Sequence, residues 1–214
     1  EFRRVLFRSA MDERPMEVMQ KTLQVIRKAD PEFKVSLAGN FHKELEADIY
    51  DYCIPIGASY PAEVLARRAQ NNLPTTYYTC CTEAFPNTFT FSDPAEAAWM
   101  SYYSAKDHLD GYLRWAYNSW PKEPLLDSRF EAWAGGDTYL VYPGARSSIR
   151  FEKLIEGVQA HEKITILRKE FTDKKNKTGF KKLEKMLSTF NLRDFPEVPA
   201  AETVNKANKI LNSL

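Results

Sequence analysis

Residues 49–82 read IYDYCIPIGASYPAEVLARRAQNNLPTTYYTCCT and outline a strand, a helix and a second strand. IYDYCIPIG is a nearly continuous apolar run that ends at Gly57, which is typical of a buried parallel strand. Pro61 stands at a first-turn position and opens the helical segment PAEVLARRAQNN. TTYYTCCT, residues 75–82, is rich in β-branched and aromatic residues, so it indicates the next strand. This stretch therefore predicts one β-α-β unit with parallel strands.

The same alternation extends along the chain in both directions. Upstream we predict an amphipathic helix from Met16, a buried strand at 33–39 and about two helical turns at 41–48. Downstream the predicted elements are a helix at 95–109, strand-like runs at 112–120 and 137–144, a long helix at 147–171, and tail helices at 178–190 and from about 200. Strands alternating with helices favour an α/β fold. About four core strands follow residue 12, so we predict the carboxy-terminal half of a (β/α)8 TIM-type barrel with a helical C-terminal tail.

Residues 1–9, EFRRVLFRS, are identical to the in-frame translation of a short-read sequencing adapter. We interpret them as a scar, with a native basic strand as the alternative. The predicted domains are then the scar at 1–9, a partial barrel domain at 10–172 and a helical tail at 173–214. On this interpretation the chain is amino-terminally truncated, and the strand that should precede residue 12 has been replaced.

Composition excludes several classes of function. Thirty basic and twenty-nine acidic residues give a formal net charge of +1, which provides no overall attraction to nucleic acid or to an anionic membrane. No apolar run reaches the length of about 18 residues that a transmembrane helix needs. The three cysteines, Cys53, Cys80 and Cys81, lack metal-ligand spacing, so we expect neither a zinc site nor a disulfide framework. Function must therefore come from a local site.

An adjacent acidic pair, Asp12 and Glu13, stands just before the first predicted helix. Acidic residues in the first turn of a helix are favoured by the helix dipole, so the pair could be purely structural. At the carboxyl end of a barrel strand, however, the same pair would lie on the face that carries active sites. The local sequence leaves both interpretations open.

Four separated motifs occur in order along the chain. They are MDERP (11–15), YYTCCTEAFPNTFTFS (77–92), DGYLRWAYNSW (110–120), and GDTYLVYPG (136–144) followed by SSIRFEKLIEGVQAHEKITILR (147–168). Together these motifs resemble the catalytic region of glycoside hydrolase family 123, the β-N-acetylgalactosaminidases. The resemblance runs from about residue 11 to about residue 170.

This resemblance implies a retaining exo-hydrolase that removes terminal β-linked N-acetylgalactosamine without a metal or an organic cofactor. Its mechanism would be substrate-assisted, with the 2-acetamido oxygen of the sugar attacking the anomeric carbon. Carried onto this chain, Asp12 would hold the acetamide and stabilise the oxazolinium-like intermediate. Glu13 would protonate the leaving oxygen and then activate water. Two close carboxylates push their pKa values apart, which suits these different roles.

The resemblance also suggests residues for sugar binding. Trp115, Tyr117, Asn118 and Trp120 could form a stacking wall with one amide, because sugar rings present apolar C–H faces to aromatic side chains. Alternatively, Trp115 and Tyr117 fill the core.

Three further polar residues are candidates for binding sugar. Glu83 and Asn87 could hydrogen-bond sugar hydroxyls, although Asn87, beside a proline, could equally cap a loop. Asp137 follows a Gly-Gly pair and could be a binding carboxylate or a turn residue. We expect Arg150 to be structural, anchoring the start of the long helix.

Two other functions remain open at this stage: a carbohydrate-binding domain without catalysis, and an inactive fragment of a parent enzyme. The expected partner is a glycan or glycoconjugate substrate, not nucleic acid. The sequence alone identifies neither the compartment nor the oligomeric state, and the resemblance leans towards an exported parent protein. It also does not distinguish N-acetylgalactosamine from N-acetylglucosamine, which differ in the orientation of one hydroxyl.

Overall fold

The computed structural model describes residues 4–7, 15–131, 133–194 and 198–214. The chain forms two compact units. The strand unit comprises Glu1–Tyr78 and Leu109–Leu113, and the helical unit comprises Thr79–His108 and Arg114–Leu214.

The strand unit contains a parallel sheet of five strands in chain order. They are β1 (Arg4–Phe7), β2 (Lys34–Ala38), β3 (Asp51–Pro55), β4 (Thr75–Tyr78) and β5 (Gly111–Leu113). Every neighbouring pair is parallel, as in the pairing of Leu37 with Tyr52 and of Ile54 with Tyr77. The strands predicted within 33–39, 49–57 and 75–82 are therefore confirmed, and the α/β architecture with parallel strands is confirmed with them.

Strand β1 lies inside the segment that we interpreted as an adapter scar, and it pairs with β2. A strand therefore does precede residue 12 along the chain. The interpretation of residues 1–9 as an adapter scar stays a prediction. Four strands follow the acidic pair, as predicted.

Two helices of the strand unit form where proline opens an amphipathic segment. They are α1 (Met16–Ala29), which follows Pro15, and α2 (Ala62–Gln70), which follows Pro61. Proline suits the start of a helix because the N–H that it lacks would have no partner there, and because its fixed φ is close to the helical value. About two helical turns were predicted at 41–48, but the structure has only a 3₁₀ turn at Glu46–Asp48 there. The prediction is therefore right in position and wrong in length.

Arg68 on α2 fixes that helix to the sheet. Its side chain is fully buried, and its guanidinium donates to four main-chain carbonyls, those of Glu46, Ile49, Tyr50 and Pro74. These carbonyls lie on the segments that lead into β3 and β4. A buried charge with this many acceptors holds the starts of two strands beside one helix.

Among the residues that the structure describes, the helical unit contains four α-helices and a 3₁₀ turn at Leu192–Asp194. The helices are α3 (Ala95–Lys106), α4 (Ile149–Asp173), α5 (Lys177–Leu187) and α6 (Ala200–Leu211). Helix α3 is buried along almost its whole length. A Cβ on Gly157 of α4 would lie 2.8 Å from Ala98 Cα, so the close approach of α3 and α4 requires glycine there.

The predicted tail helices are confirmed as α5 and α6, and they belong to the same compact unit as α3 and α4. The rings of Tyr102 and Phe190 stack with centroids 4.5 Å apart. The Tyr102 hydroxyl donates to Asn208 Oδ1 at 2.5 Å. Side chains of α3 thus contact both the segment after α5 and helix α6.

The strand-like runs predicted at 112–120 and 137–144 are wrong beyond Leu113. The two runs instead contact each other through the isolated antiparallel bridge Asn118–Tyr139, and a second bridge, Tyr142–Arg146, joins the later run to the residues just after it. Their backbone groups pair across the loops, as in the bond from Leu140 N to the carbonyl of Tyr117 at 2.8 Å. Since backbone groups of the two runs pair with each other, the runs form a loop structure outside the sheet.

None of the helices in the described ranges is long and apolar enough to cross a membrane. The same ranges hold no group of three or more His, Cys, Asp or Glu side chains arranged to bind a metal ion.

Candidate functional site

The predicted catalytic pair, Asp12 and Glu13, lies outside the described residues. Along the chain it stands after Phe7, where β1 ends, and before Pro15, which precedes α1. A strand-to-helix connection in a parallel α/β unit is where such folds place catalytic side chains. That Asp12 and Glu13 are the catalytic pair stays a prediction.

The other predicted residues all lie in the helical unit, and three of them, Asn87, Asp137 and Trp115, are linked to Arg114 directly or through Asp137. Arg114 follows directly after β5, and its side chain is only 5% exposed. Its Nη1 donates to Asn87 Oδ1 at 3.0 Å, and its Nη2 donates to Asp137 Oδ1 at 2.5 Å and to the main-chain carbonyl of Asp137. Trp115 Nε1 also donates to Asp137 Oδ1, at 3.3 Å. We call Arg114, Asn87, Asp137 and Trp115 the Arg114 cluster.

Asp137 is a turn residue with a buried carboxylate, and its role in binding sugar stays a prediction. Its backbone N donates to the carbonyl of Ala134, and its side chain is 0% exposed. Asp137 Oδ1 accepts from both Arg114 and Trp115, whereas Oδ2 is buried without a hydrogen-bond partner among the described residues. The carboxylate thus retains one acceptor that the helical unit does not use.

The glycine before Asp137 is required by the turn. Gly136 has a φ of +77°, and a Cβ there would lie 2.7 Å from both Arg150 Nη1 and Thr90 Cγ2. Arg150 Nη1 donates to the carbonyl of Gly136 at 2.8 Å and to that of Thr88. Burial lowers the pKa of Arg150 from its ordinary value. Arg150, in the first turn of α4, is structural, as expected.

Asn87 has the loop-capping role that we offered as the alternative to sugar binding. Its Nδ2 donates to the carbonyls of Cys80 and Glu83, both at 2.7 Å. Its Oδ1 accepts from Thr88 N and from Arg114. These bonds use both donors and both acceptor positions of the amide, so Asn87 shapes the loop rather than offering a free group.

Glu83 also ties this loop together. Its Oε2 accepts from Cys80 N at 2.5 Å, and its Oε1 accepts from Thr82 Oγ1 at 2.8 Å. The side chain is half-buried. Its carboxylate is therefore engaged within the loop that follows β4.

Glu96 fixes the other end of the same loop and was not predicted from the sequence. Its Oε2 accepts from Asn87 N at 2.8 Å and its Oε1 accepts from Asp93 N at 3.0 Å. Burial raises the pKa of Glu96 above its ordinary value. The signal was present in the sequence, because Asp93 and Glu96 have the spacing of a capping box at the start of α3.

The four residues of the predicted stacking wall have different environments. Trp115 is half-buried, while Tyr117 is 48% exposed and Trp120 is 36% exposed. Tyr117 lies edge-on to Phe151 at 5.8 Å, and Trp120 Nε1 donates to the carbonyl of Val141 at 2.7 Å. Asn118 is exposed. Tyr117 is therefore not a core residue, whereas Trp115 is partly one.

Two residues near this wall were not predicted from the sequence. Arg114 lies inside the motif DGYLRWAYNSW at residues 110–120. The signal that could have identified it is a single cation at the end of an apolar strand. Trp133 is 40% exposed, and its ring lies 5.2 Å from that of Trp115 at an interplanar angle of 44°.

Comparison with known proteins places the chain in a family. The family described as "Glycoside hydrolase 123, catalytic domain" matches residues 5–167. A solved structure of a family 123 glycoside hydrolase from Clostridium perfringens, described in a study of glycolipid glycan hydrolysis, is 24% identical with a TM-score of 0.74. The match covers 97% of this chain and 40% of that one, so this chain spans well under half of that protein's length. A comparison with curated proteins found no match.

The likeness to the solved structure concerns the fold, and the family match concerns the sequence. The matched range, residues 5–167, is most of the chain, and it contains the acidic pair and the whole Arg114 cluster. It also agrees with the family resemblance of the four sequence motifs. The chain therefore belongs to glycoside hydrolase family 123.

Proposed function

We propose that this chain carries the catalytic groups of a glycosidase that removes terminal β-linked N-acetylgalactosamine from a glycan or glycoconjugate. The observation that supports this proposal is the match of the family 123 catalytic domain to residues 5–167, a range that contains Asp12 and Glu13. The eight-stranded barrel is part of the same proposal, with β1 to β5 as five of its strands.

The proposed chemistry is substrate-assisted and retains the anomeric configuration. The 2-acetamido oxygen of the sugar attacks the anomeric carbon, so the enzyme supplies no nucleophile. A nucleophile tethered within the substrate saves several kcal/mol, because little translational or rotational freedom remains to be lost. Asp12 holds the acetamide N–H and stabilises the positive charge of the oxazolinium-like intermediate.

Glu13 serves as the general acid and then as the general base. It gives a proton to the leaving glycosidic oxygen and later takes one from the water that opens the intermediate. Glu13 must therefore bind a proton near neutral pH while Asp12 stays ionised. Two adjacent carboxylates separate their pKa values in this way, because their charges repel.

In this proposal the residues of the predicted stacking wall bind the sugar. Tyr117, Asn118 and Trp120 are exposed, and Trp115 is held by Asp137. Glu83 and Asn87, which the sequence also suggested, act by shaping the loop after β4, because their polar atoms are engaged there. The combination of aromatic rings with few polar groups is the usual composition of a carbohydrate site.

The test compares Glu13→Gln and Asp12→Asn with Glu17→Gln on a chromogenic β-N-acetylgalactosaminide. Glu17 is a matched control, because it lies in the first turn of α1 with its side chain 75% exposed. Loss of a general acid costs typically 10²–10⁴-fold in rate, so we expect that loss for Glu13→Gln and wild-type turnover for Glu17→Gln. Wild-type turnover by Glu13→Gln would contradict the assignment.

Two substrate comparisons test the remaining parts of the proposal. The matching β-galactoside has a hydroxyl in place of the acetamide, so we expect no release from it if the acetamide is the nucleophile. The matching β-N-acetylglucosaminide tests the choice of sugar. A protein that binds N-acetylgalactosamine but releases nothing from any of these substrates would instead be a carbohydrate-binding domain.

A further inference from the structure

Trp133 is an exposed tryptophan that is not one of the residues of the predicted stacking wall. Its side chain is 40% exposed, although its indole packs at 5.2 Å against Trp115. Trp115 is itself held in place, because its Nε1 donates to Asp137 Oδ1. One side of Trp133 therefore rests on a fixed support while much of its surface remains open to solvent.

The loop that carries Trp133 is closed by its own hydrogen bonds. Gly136 N donates to the carbonyl of Ser128 at 2.8 Å, and Thr90 N donates to the carbonyl of Gly135 at 2.8 Å. Within the loop, Trp133 N donates to the carbonyl of Phe130 at 3.0 Å. A ring on a closed loop loses little freedom when a ligand binds, so the surface is preorganised.

Polar side chains lie where the loop that carries Trp133 is closed. Thr90 Oγ1 lies 3.1 Å from Ser128 Oγ and donates to the carbonyl of Gly135 at 3.1 Å, in an exposed position. Oligosaccharides need an aromatic face for their C–H groups together with a few hydrogen-bonding groups for their hydroxyls. An open indole with hydroxyl groups at the closure of the same loop therefore favours a sugar over a purely apolar ligand.

We propose that Trp133 is a stacking platform for a pyranose ring of the substrate glycan, with Trp115 as its support. This proposal rests on the proposed function, since it adds a substrate-binding residue to the same enzyme. In a galacto-configured ring the axial O4 leaves the C–H bonds of C3, C4 and C5 on one face. That continuous apolar face is the one that an indole takes up.

The first experiment measures binding of N-acetylgalactosamine, which cannot be hydrolysed further. Wild-type protein, Trp133→Phe and Phe91→Ala are titrated while indole fluorescence is recorded. Phe91 is the control, because it is 71% exposed and stacks on Phe89 as Trp133 packs on Trp115. We expect a saturable change in wild type and in Phe91→Ala, and a smaller change at higher ligand concentration in Trp133→Phe, because Trp115 and Trp120 remain as indole reporters. No change in wild type, or the same change in Trp133→Phe, would overturn the platform.

The second experiment measures kinetics on the chromogenic β-N-acetylgalactosaminide. We expect Trp133→Ala to raise KM about tenfold and to leave kcat within about threefold, because stacking holds the substrate before and during reaction alike. Trp133→Phe should lie between Trp133→Ala and wild type, and it carries the test if Trp133→Ala fails to fold. An unchanged KM in a folded variant would refute the platform.

The two experiments separate this proposal from the proposed function. If the wild type hydrolyses the substrate and the Trp133 variants have the same KM and the same fluorescence change, the hydrolase proposal stands and the platform proposal fails. If the fluorescence change depends on Trp133 but the wild type releases no product, the platform proposal stands and the hydrolase proposal fails.

Discussion

The ion pair between Arg114 and Asp137 allows a quantitative test of what holds the helical unit together. Arg114 Nη2 lies 2.5 Å from Asp137 Oδ1, and the two side chains are 5% and 0% exposed. Asp137→Ala removes the carboxylate and leaves the guanidinium of Arg114 buried, with Asn87 and a main-chain carbonyl as its remaining acceptors. Removing one partner of a buried pair typically costs about 3–5 kcal/mol, because the other charge stays desolvated.

Thermal unfolding followed by circular dichroism measures this cost. A chain of this size loses about 2–4 °C in midpoint per kcal/mol, so we expect Asp137→Ala to unfold about 6–20 °C below wild type. Adding Arg114→Met to Asp137→Ala should recover part of the loss, because the unpaired charge is then gone.

The matched control is Asp127→Ala. Asp127 pairs with Arg129 at 2.7 Å, but the side chains are 48% and 73% exposed, so water and salt screen the pair. We expect no measurable change in midpoint for this variant. Equal midpoints for Asp127→Ala and Asp137→Ala would refute the argument that burial gives the Arg114 pair its importance.

Three further predictions follow from single residues. In urea unfolding, Gly136→Ala should lower the free energy of unfolding more than Gly144→Ala does. Both glycines have a positive φ, but a Cβ at Gly136 would lie 2.7 Å from neighbouring atoms, whereas a Cβ at Gly144 would meet nothing within 4 Å. The Gly144 variant should lose about 1–2 kcal/mol from backbone strain alone, and equal losses would argue against the steric term. Hydrogen bonding to Arg129 lowers the pKa of Asp127 from 3.8 to about 2. Any stability linked to this shift is present above pH 3.8 and lost as the pH falls through about 2, and because water and salt screen the exposed pair it is too small to move the unfolding midpoint. In an NMR titration, Arg129→Ala should return the pKa of Asp127 towards 3.8, and a value that stays near 2 would assign the shift to another cause. Arg68→Met should lower the free energy of unfolding by about 3 kcal/mol or more, since it removes a charged donor from four main-chain carbonyls, of which those of Glu46 and Pro74 keep a main-chain donor. A loss below about 1 kcal/mol in urea would count against that role.

The elements that could be predicted from the sequence are those whose burial is set by local pattern. The strands within 33–39, 49–57 and 75–82 are apolar or β-branched runs, and buried parallel strands require such runs. The runs at 112–120 and 137–144 have similar composition, yet only Gly111–Leu113 joins the sheet. Composition cannot say which partner a strand-like run will find, and here the two runs pair with each other.

The residues of the candidate site also fall into those that the motifs suggested and those that only the structure identified. Trp115, Tyr117 and Asp137 could be suggested from the motifs, because their residue types suit sugar binding. The role of Asn87 depended on which carbonyls lie near its amide, and Trp133 depended on a contact with a ring 18 positions earlier in the chain. Such contacts are made when distant loops come together, so no local pattern encodes them.

The sequence by itself determined the family, the alternation of strands and helices, and the adjacency of Asp12 and Glu13, because these depend on residue order and local pattern. Only the tertiary structure decided that Arg114 and Asp137 form a buried pair and that Trp133 rests on Trp115. The physical reason is that burial and hydrogen bonding between distant segments are properties of the packed chain. Two aspartates of the same loop, Asp127 and Asp137, show this clearly, since each pairs with an arginine but only one of them is buried.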